Sequence, residues 1–399
     1  MSAATIARSR WALLYGNFVI GCGVMVVAGS LNDLTRSLEV SVAVGGQLIA
    51  IAAVVMCLAA PLLAGLVSGF DRRTLLALAL LWYGLGHAAS ALAPSYAVLV
   101  PVRAISMLAA AVFTPQAAAA LGFIAAPADR GRAITFIFLG WSVASVLGMP
   151  LHAWIGESFG WRWAFALVGV LSLIGAAWVW RAMPAGIRPP ALSAGAWREA
   201  LTNPVLMAVV AVTALQGAGQ FTLFSYFAPY YRNVIGASAT EVSLLFGWFG
   251  AFGLIGNVIL SRHIDRIGAA RAVLALMVLV TLSLLLWPLA HTVLGVALVI
   301  VPWALGCFAA NSAQQARLSE AAPALAPALM ALNSSAIYLG QAAGATSGGL
   351  MLAGSGGTKL AGGGGAAVAD GGYAMLATVG IGWMVAAIAL SWWAQRRGH

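Results

Sequence analysis

The sequence predicts an all-α membrane protein in which twelve transmembrane helices form two pseudo-symmetric halves of six. Only 8% of the 399 residues are charged and 62% are hydrophobic, and the mean hydropathy is +0.97. A soluble core of this size cannot bury so much apolar surface, whereas a membrane-spanning helix needs roughly 20 consecutive apolar residues. The few charges fall between long apolar runs, and no alternating pattern of strand length suggests a barrel. Backbone groups in lipid must bond internally, so the spans are expected to be helices.

The charges and turn residues give the bounds of each span. The first apolar run begins near Trp11 after a short polar lead and is expected to be retained as a helix. The spans are predicted at residues 11–31, 42–67, 73–93, 97–121, 131–155, 163–181, 205–228, 241–261, 269–289, 293–314, 325–353 and 373–393.

The basic residues predict the orientation of the chain. With a cytoplasmic N-terminus, the outer loops hold only Arg36, Arg162, Arg232 and Lys359 of the 20 basic residues. Because cytoplasmic loops carry the excess of Lys and Arg, both termini are expected inside, in a bacterial inner membrane. The net charge of +10 is then interpreted as the charge that orients the chain in the membrane and contacts anionic lipid, rather than as a sign of nucleic-acid binding.

The longest inner segment divides the spans six and six. It contains Pro184, Pro189 and Pro190, which are typical of a linker. The predicted organisation is an N-terminal half at residues 1–182, a cytoplasmic linker at 183–203 and a C-terminal half at 204–399.

A ladder of small residues recurs in both halves. Gly140, Ala144 and Gly148 of the fifth span reappear 200 positions later as Gly340, Gly344 and Gly348 of the eleventh. Such ladders let helix backbones approach closely in lipid, either as static packing or as a moving seam. Transporters built from repeated halves rock one half against the other around a central site, so the repeat favours transport over a pore.

The remaining motifs indicate no cofactor. The glycine-rich stretch from Gly354 to Gly372 contains Lys359 but lacks the G-K-[ST] core of a phosphate loop, and is expected to be a flexible outer connector. The three cysteines fall within spans, where they are expected to be apolar fillers rather than a metal cluster.

Several motifs together resemble a known family. The run Gly148-Met149-Pro150-Leu151, followed by Gly160-Trp161-Arg162-Trp163-Ala164-Phe165, resembles the fifth-helix antiporter motif of the drug:proton antiporter branch of the major facilitator superfamily, and the loop after it. The chain is similar to the sugar-efflux and arabinose-efflux permeases of that branch. Supporting matches are Ala60-Pro61-Leu62-Leu63 leading to Arg72-Arg73, Tyr226-Phe227-Ala228-Pro229, and Gly256-Asn257 before Asp265-Arg266-Ile267-Gly268.

The resemblance implies export of a small organic solute by alternating access, with proton antiport as the expected coupling. Members of the branch commonly carry an acidic residue midway along the first helix, where this chain has Val24, and His152 replaces a glycine of the family pattern. An uncoupled facilitator and a transport-inactive receptor or scaffold therefore stay open as alternatives. The expected partners are a small-molecule substrate, protons and the lipid bilayer, and the chain is expected to be a monomer.

Three side chains within spans are candidates for proton coupling. Arg103 corresponds to the fourth-helix arginine that the family uses near its coupling site, and a charge in the bilayer is expected to face the bundle interior and hold a partner. Its alternative is an arginine that snorkels to the interface. No Asp or Glu lies near the middle of a span, so the titratable candidates are His87 and His152, each with a purely structural role as the alternative.

Polar and aromatic residues on the helices that line the family's cavity are candidates for substrate binding. Gln216 and Gln220 are four residues apart and share a helix face, where their amides would bind a hydroxylated or amphiphilic solute or else join helices. Trp141, Trp303 and Phe221 are expected to add apolar or stacking walls. The cavity candidates are Asn17, Gln116, Trp141, Gln216, Gln220, Tyr226, Asn311 and Asn333.

Charged residues crowd the cytoplasmic ends of both halves. They are interpreted as a latch that biases the conformational equilibrium, or as plain topology signal. The latch candidates are Arg72, Arg73, Asp129, Arg130, Asp265 and Arg266, while Gly140, Gly148, Pro150, Gly340, Gly344 and Gly348 are the candidates for packing and gating. A membrane-embedded enzyme is disfavoured because no acids, bases or metal ligands converge within the spans.

Overall fold

The computed structural model describes residues 3–40, 42–188, 193–227, 230–231, 234–354 and 369–397. Within these ranges the protein is built from helices and contains no strand, which confirms the predicted all-α class. Lys359, most of the glycine-rich stretch, Arg232, Pro229, Pro189 and Pro190 lie outside the described residues.

Fourteen α-helices follow one another along the described chain. They are α1 (Ala3–Ser37), α2 (Val42–Leu66), α3 (Arg72–Ala91), α4 (Tyr96–Ile124), α5 (Arg130–Val143), α6 (Met149–Phe159), α7 (Trp161–Ala182), α8 (Ala194–Thr202), α9 (Pro204–Phe224), α10 (Ala239–Ile267), α11 (Ala269–Leu286), α12 (Val293–Ala321), α13 (Ala326–Gly354) and α14 (Ala369–Arg397).

The helices account for the twelve predicted spans. Eleven segments of the described chain are long and apolar enough to cross a membrane, and the fifth of them, Pro127–Gly156, includes α5 and most of α6. Helix α13 has 29 residues, which is long enough to cross, but alternates apolar residues with Gly, Ser, Asn and Gln. Together these helices are consistent with the twelve expected, and α8 is a short helix between the sixth and seventh.

Two helices differ from their predicted form. Helix α1 begins at Ala3, so the polar lead before Trp11 is helical and extends the first helix. The fifth span is interrupted by a π-helical turn at Ala144–Gly148. Pro150 explains the interruption, since proline has no N–H and its ring clashes with the carbonyl four residues earlier in a regular α-helix.

Polar side chains set where several helices begin. Asn203 accepts hydrogen bonds from the main-chain nitrogens of Val205 and Leu206 at 3.0 and 3.1 Å at the start of α9, and Ser238 and Glu241 form a capping box on α10. Asp33, from the end of α1, accepts a 2.7 Å bond from the main-chain nitrogen of Trp161 and so caps α7.

The described helices group into two compact units. One contains residues 1–202 and 315–335, and the other residues 203–314 and 336–399. In the first unit α3 packs against α4 and α7, and α1 packs against α5, α6 and α7. In the second unit α14 packs against α9 and α11. The half boundaries at residues 182 and 204 stay a prediction.

Asp71 ties the start of the linker to α3. Its carboxylate accepts bonds from the nitrogens of Thr74 at 3.1 Å and Gly186 at 2.7 Å, and the nitrogen of Arg72 donates to the carbonyl of Ile187 at 2.9 Å. Partial burial raises the pKa of Asp71, but hydrogen bonds from Thr74 and Gly186 outweigh it and hold the pKa below its usual value.

Replacing Asp71 with asparagine is expected to loosen the linker start, because the charged acceptor of the Gly186 N–H is lost. Hydrogen exchange at the Gly186 amide is expected to accelerate in the variant. In the wild type the protection of this amide, taken relative to an unstructured peptide at the same pH, is expected to fall as the pH drops below about 4, because a lowered pKa stabilises the fold above the unfolded-state pKa and that stabilisation is lost when the carboxylate is protonated. Asp129→Asn is the matched control, because Asp129 precedes α5 without a side-chain cap bond. Equal exchange at Gly186 in the wild type, Asp71→Asn and Asp129→Asn would contradict the role of Asp71 in holding the start of the linker.

Candidate functional site

Arg103 lies fully buried inside the first unit rather than snorkelling to an interface. Its Nη1 lies 3.1 Å from Nε2 of His87 on α3, and its Nη2 donates to the main-chain oxygen of Val24 on α1 at 3.2 Å. The guanidinium carbon lies 5.8 Å from the centre of the Phe165 ring. Arg103 therefore joins α4 to α1 and α3 through neutral partners.

The contacts of His87 fix its protonation state in this arrangement. Arginine only donates hydrogen bonds, so Nε2 of His87 acts as the acceptor and carries no proton. Nδ1 then carries the hydrogen and donates to the main-chain oxygen of Tyr83 at 2.8 Å. His87 is fully buried, and its ring also packs edge-on against Tyr83 at 4.2 Å between centroids. The result is a neutral imidazole held between a cation and a carbonyl.

His152 is the third member of the group. It lies on α6 just after the π-helical turn and is 1% exposed. Neither of its ring nitrogens makes a hydrogen bond of good geometry, although the main chain of Cys22 lies beside the ring. The positive charge of Arg103 interacts with both histidines, and the two histidines interact with each other. The structure thus brings together all three predicted coupling candidates.

The carbonyl of Val24 takes the place of the acid expected in the first helix. Arg103 reaches the main chain at this residue, and within the described ranges no carboxylate forms an ion pair with it. The sequence analysis missed Tyr83, whose Oη donates to the oxygen of Ile20 at 3.0 Å. A Cβ atom at Gly23 would lie 2.7 Å from the Tyr83 ring, so glycine is what lets the tyrosine pack there.

The predicted cavity residues of the first unit are already engaged or buried. Asn17 accepts a bond from Thr114 at 2.9 Å and donates to the oxygen of Ile137 at 3.2 Å. Both ends of its amide therefore join helices, which is the alternative interpretation of such residues. Gln116 is 1% exposed with its Oε1 unbonded, and Nε1 of Trp141 is also unbonded. Asn333 is fully buried.

In the second unit the predicted amides form a polar strip on α9 and α12. Nε2 of Gln216 lies 3.5 Å from Oδ1 of Asn311, and its Oε1 has no partner. Oε1 of Gln220 accepts a bond from Nε1 of Trp303 at 3.2 Å. Tyr226 donates to the oxygen of Ala345 at 2.7 Å, which joins α9 to α13. Asn311 is partly exposed, and Gln216 is fully buried.

Aromatic rings continue beside this polar strip. Phe221 and Phe224 lie 5.3 Å apart between ring centroids, and Phe224 lies 5.4 Å from Phe249 on α10. Phe227 stacks on Trp287 at 5.2 Å with an interplanar angle of 2°. Of the three residues expected to form walls, Trp303 is fully buried, whereas Phe221 and, in the first unit, Trp141 are partly exposed.

The small-residue ladders make the same packing contacts in each unit. In the first unit a Cβ atom at Gly140 would lie 2.6 Å from the nitrogen of Phe18, and would also overlap the oxygen of Leu14. In the second unit a Cβ atom at Gly340 would overlap the oxygen of Ala214. The pairs Leu14 with Gly140 and Ala214 with Gly340 are related by a shift of 200 residues.

The next turns of the ladders repeat the relation. A Cβ atom at Gly148 would meet Cys22 at 3.0 Å, and one at Gly348 would meet Thr222, the residue 200 positions after Cys22. A Cβ atom at Gly344 would lie 2.9 Å from the nitrogen of Thr222. The helix backbones therefore approach closely at matching positions in the two units.

The latch candidates have varied environments. Arg72 is fully buried, and its guanidinium donates to the oxygens of Val67, Ser68 and Phe70 at 3.0 to 3.1 Å. Arg72 therefore holds the turn that follows α2. Arg73 lies 4.3 Å from the ring of Trp180. Arg130 is partly exposed, Asp129, Asp265 and Arg266 are exposed, and Pro150 is exposed at the start of α6.

Comparison with known proteins gives consistent matches over most of the chain. The model of the Major Facilitator Superfamily matches residues 13–345. An uncharacterized MFS-type transporter of Bacillus subtilis, YbcL, is 26% identical over 84% of this chain and 86% of its own length. The inner membrane transport protein YdhP of Escherichia coli K12 is 28% identical over 86% of this chain and 88% of its own length.

Solved structures show the same fold. The human organic anion transporter MFSD10 has a TM-score of 0.77 at 16% identity, covering 98% of this chain and 100% of its own. The proton:xylose symporter XylE, bound to 6-bromo-6-deoxy-D-glucose, has a TM-score of 0.78 at 15% identity. The match covers 98% of this chain and 96% of the XylE chain. At these identities the similarity concerns the fold alone.

Proposed function

This chain belongs to the Major Facilitator Superfamily, and we propose that it exports a small organic solute by alternating access, driven by proton entry. It is a multi-pass membrane transporter rather than an enzyme. The observation that carries the coupling proposal is the buried contact between Arg103 and the neutral ring of His87. Both termini are proposed to be cytoplasmic, in an inner membrane, with the protein acting as a monomer.

Proton uptake acts on the His87 to Arg103 contact. Protonation of Nε2 of His87 removes the acceptor that Arg103 uses and places a second cation beside the guanidinium. Two like charges in a low-dielectric interior repel strongly, so Arg103 must release His87. Because Arg103 also holds the main chain of α1 at Val24, its release changes how α1 and α4 pack. A proton on His87 is thereby converted into a movement of helices.

The groups around His87 all bear on this step. Arg103 faces it from α4, His152 from α6, Tyr83 from its own helix, and the Cys22 to Gly23 segment of α1 lies against the two histidines. No acid of the described chain offers a competing proton acceptor in this group. His87 is thus the proposed proton carrier, and Arg103 and His152 tune it.

The repeated ladders support the alternating-access part of the proposal. Matching glycines let the backbone of α5 approach α1 closely in one unit, and the backbone of α13 approach α9 in the other. The same close contact recurs inside each unit, as expected for a transporter built from repeated halves, and we take it as a place where helices shift during the cycle. We also propose that residues 183–203 are a cytoplasmic linker between the two halves, and that the latch candidates bias the conformational equilibrium.

The second unit supports a solute that combines polar and apolar groups. The unbonded Oε1 of Gln216 and the partly exposed Asn311 offer hydrogen bonds, and Phe221 and Phe224 offer apolar faces beside them. Sugar-like solutes and amphiphilic drugs both fit this description. An uncoupled facilitator is the second candidate, favoured by Val24 in place of the family's first-helix acid.

Transport assays test the proposed function. Cells that express the protein are screened for resistance and uptake against drugs, sugars and nucleosides, and each solute found is then followed in proteoliposomes. Export is expected without ATP, to increase with an inward proton gradient, and to lose that increase when a protonophore is added. Transport at a rate independent of the proton gradient would support the uncoupled facilitator, and solute binding without flux would support a receptor.

A further inference from the structure

Among the described residues, no carboxylate pairs with the positive charge that lies inside the first unit. Arg103 is fully buried, and its described partners are the neutral imidazole of His87 and the carbonyl of Val24. A buried charge is costly unless it is paired as well as hydrogen-bonded. In the resemblance described above, an acid of the first helix would stand near this arginine, and here the position is Val24.

Unused hydrogen-bonding atoms lie in the same place. Nε of Arg103 has no partner, and neither ring nitrogen of His152 makes a hydrogen bond of good geometry, although both side chains are at least 99% buried. A neutral imidazole carries one N–H, so the Nε–H of Arg103 lacks an acceptor, and the N–H of His152 has only the main chain of Cys22 beside it, without a hydrogen bond of good geometry. Buried donors of this kind are normally satisfied by water, an ion or a ligand.

We propose that Arg103 and His152 form a binding site for a small monovalent anion, either chloride or the carboxylate of a small organic acid. The anion accepts hydrogen bonds from Arg103 Nε and His152 N–H, and supplies a negative charge beside the buried guanidinium. This inference rests on the proposed function and deepens it, because the anion binds among Arg103, His87 and His152, the residues to which proton coupling is assigned. When His87 is protonated the local charge rises, so the anion binds more tightly at low pH.

The test measures thermal unfolding of the purified full-length protein in detergent at constant ionic strength. Sodium chloride or sodium acetate replaces sodium isethionate stepwise, at pH 7 and again at pH 5.5. A saturable rise in Tm of at least roughly 2 °C is expected, larger at the lower pH. A rise with chloride but not acetate identifies an inorganic anion, and a rise with acetate alone identifies a carboxylate of the solute.

Variants show whether the effect comes from this site. Arg103→Gln and His152→Ala are expected to lose the rise, and Arg103→Lys, which keeps the charge, to retain part of it. Arg181→Gln and His263→Ala change an exposed arginine and an exposed histidine outside the site, and are expected to behave like the wild type. If Arg103→Gln fails to fold, His152→Ala and Arg103→Lys decide the result.

Two results would overturn the anion site. One is the absence of a saturable rise in the wild type, and the other is an equal rise in the wild type and in every variant. Solute flux measured in liposomes that contain only isethionate separates the two proposals. Proton-driven export that persists there with no anion effect removes the anion site and leaves the proposed function intact.

Discussion

Replacing Arg103 with alanine is expected to lower proton-driven export at least about tenfold. The substitution removes the hydrogen bonds to His87 and Val24, and each bond to a charged group contributes roughly 1.5–3 kcal/mol, so losing one is enough for a tenfold change. It also leaves Nε2 of His87 buried without the donor that Arg103 supplied. The measurement is export of each solute found in the screen, at matched protein levels in the membrane.

Two further variants make the result specific. Arg181→Ala removes an exposed positive charge at the end of α7 and is expected to export at the wild-type rate. Arg103→Lys keeps the charge but not the two-pronged geometry, so an intermediate rate is expected. If Arg103→Ala and the wild type behave alike for every solute, the assignment of Arg103 is wrong.

Replacing Gly140 or Gly340 with alanine is expected to destabilise the protein by roughly 1–3 kcal/mol, as overpacking of a tight contact does. The added methyl group would meet backbone atoms of the neighbouring helix, namely Phe18 for Gly140 and Ala214 for Gly340, and backbone cannot rotate away. The measurements are the Tm in detergent and the export rate in liposomes. The rate is expected to fall further than the loss of stability alone explains, because the proposed transport cycle requires these helices to shift at this contact.

Gly382→Ala and Gly247→Ala are the matched controls. Both glycines lie within helices, and a Cβ atom at either would meet nothing within 4 Å. These variants are expected to be as stable as the wild type or slightly more so, because alanine favours helix. Equal losses at all four positions would show that helix propensity, and not helix contact, determines the effect.

Composition and charge pattern were enough to predict the fold. Long apolar runs, the distribution of arginines and the shift of 200 residues between ladders are all visible in the chain. The interior position of Arg103 also follows from the sequence, because a charge within an apolar run must find a partner or reach the interface. The family resemblance then added an expected mode of action, which stays a proposal.

The partners inside the fold were harder to predict. His87 and Arg103 lie 16 residues apart on different helices, and Val24 contributes only its main chain, which no side-chain pattern reveals. In the sequence, Asn17 looks the same whether its amide lines a cavity or joins two helices. Only its contacts with Thr114 and Ile137 show that it joins helices. Position relative to neighbouring helices decides these roles, and that is a tertiary property.

Pro150 explains why the fifth span is interrupted, but the presence of proline does not determine the form of the interruption. Proline in a helix is compatible with a kink, a π-helical turn or a helix end. His152 follows the five-residue turn at Ala144–Gly148 and lies beside the main chain of Cys22, within electrostatic range of Arg103.

Proton flux that accompanies solute export tests the central claim most directly. Proteoliposomes carry a pH-sensitive dye inside and the exported solute as the only gradient, and the wild type is compared with His87→Gln. The lumen of the wild-type vesicles is expected to acidify as solute leaves, and His87→Gln to lose the acidification. Solute export without any pH change, or equal acidification in the variant, would contradict coupling through His87 and Arg103.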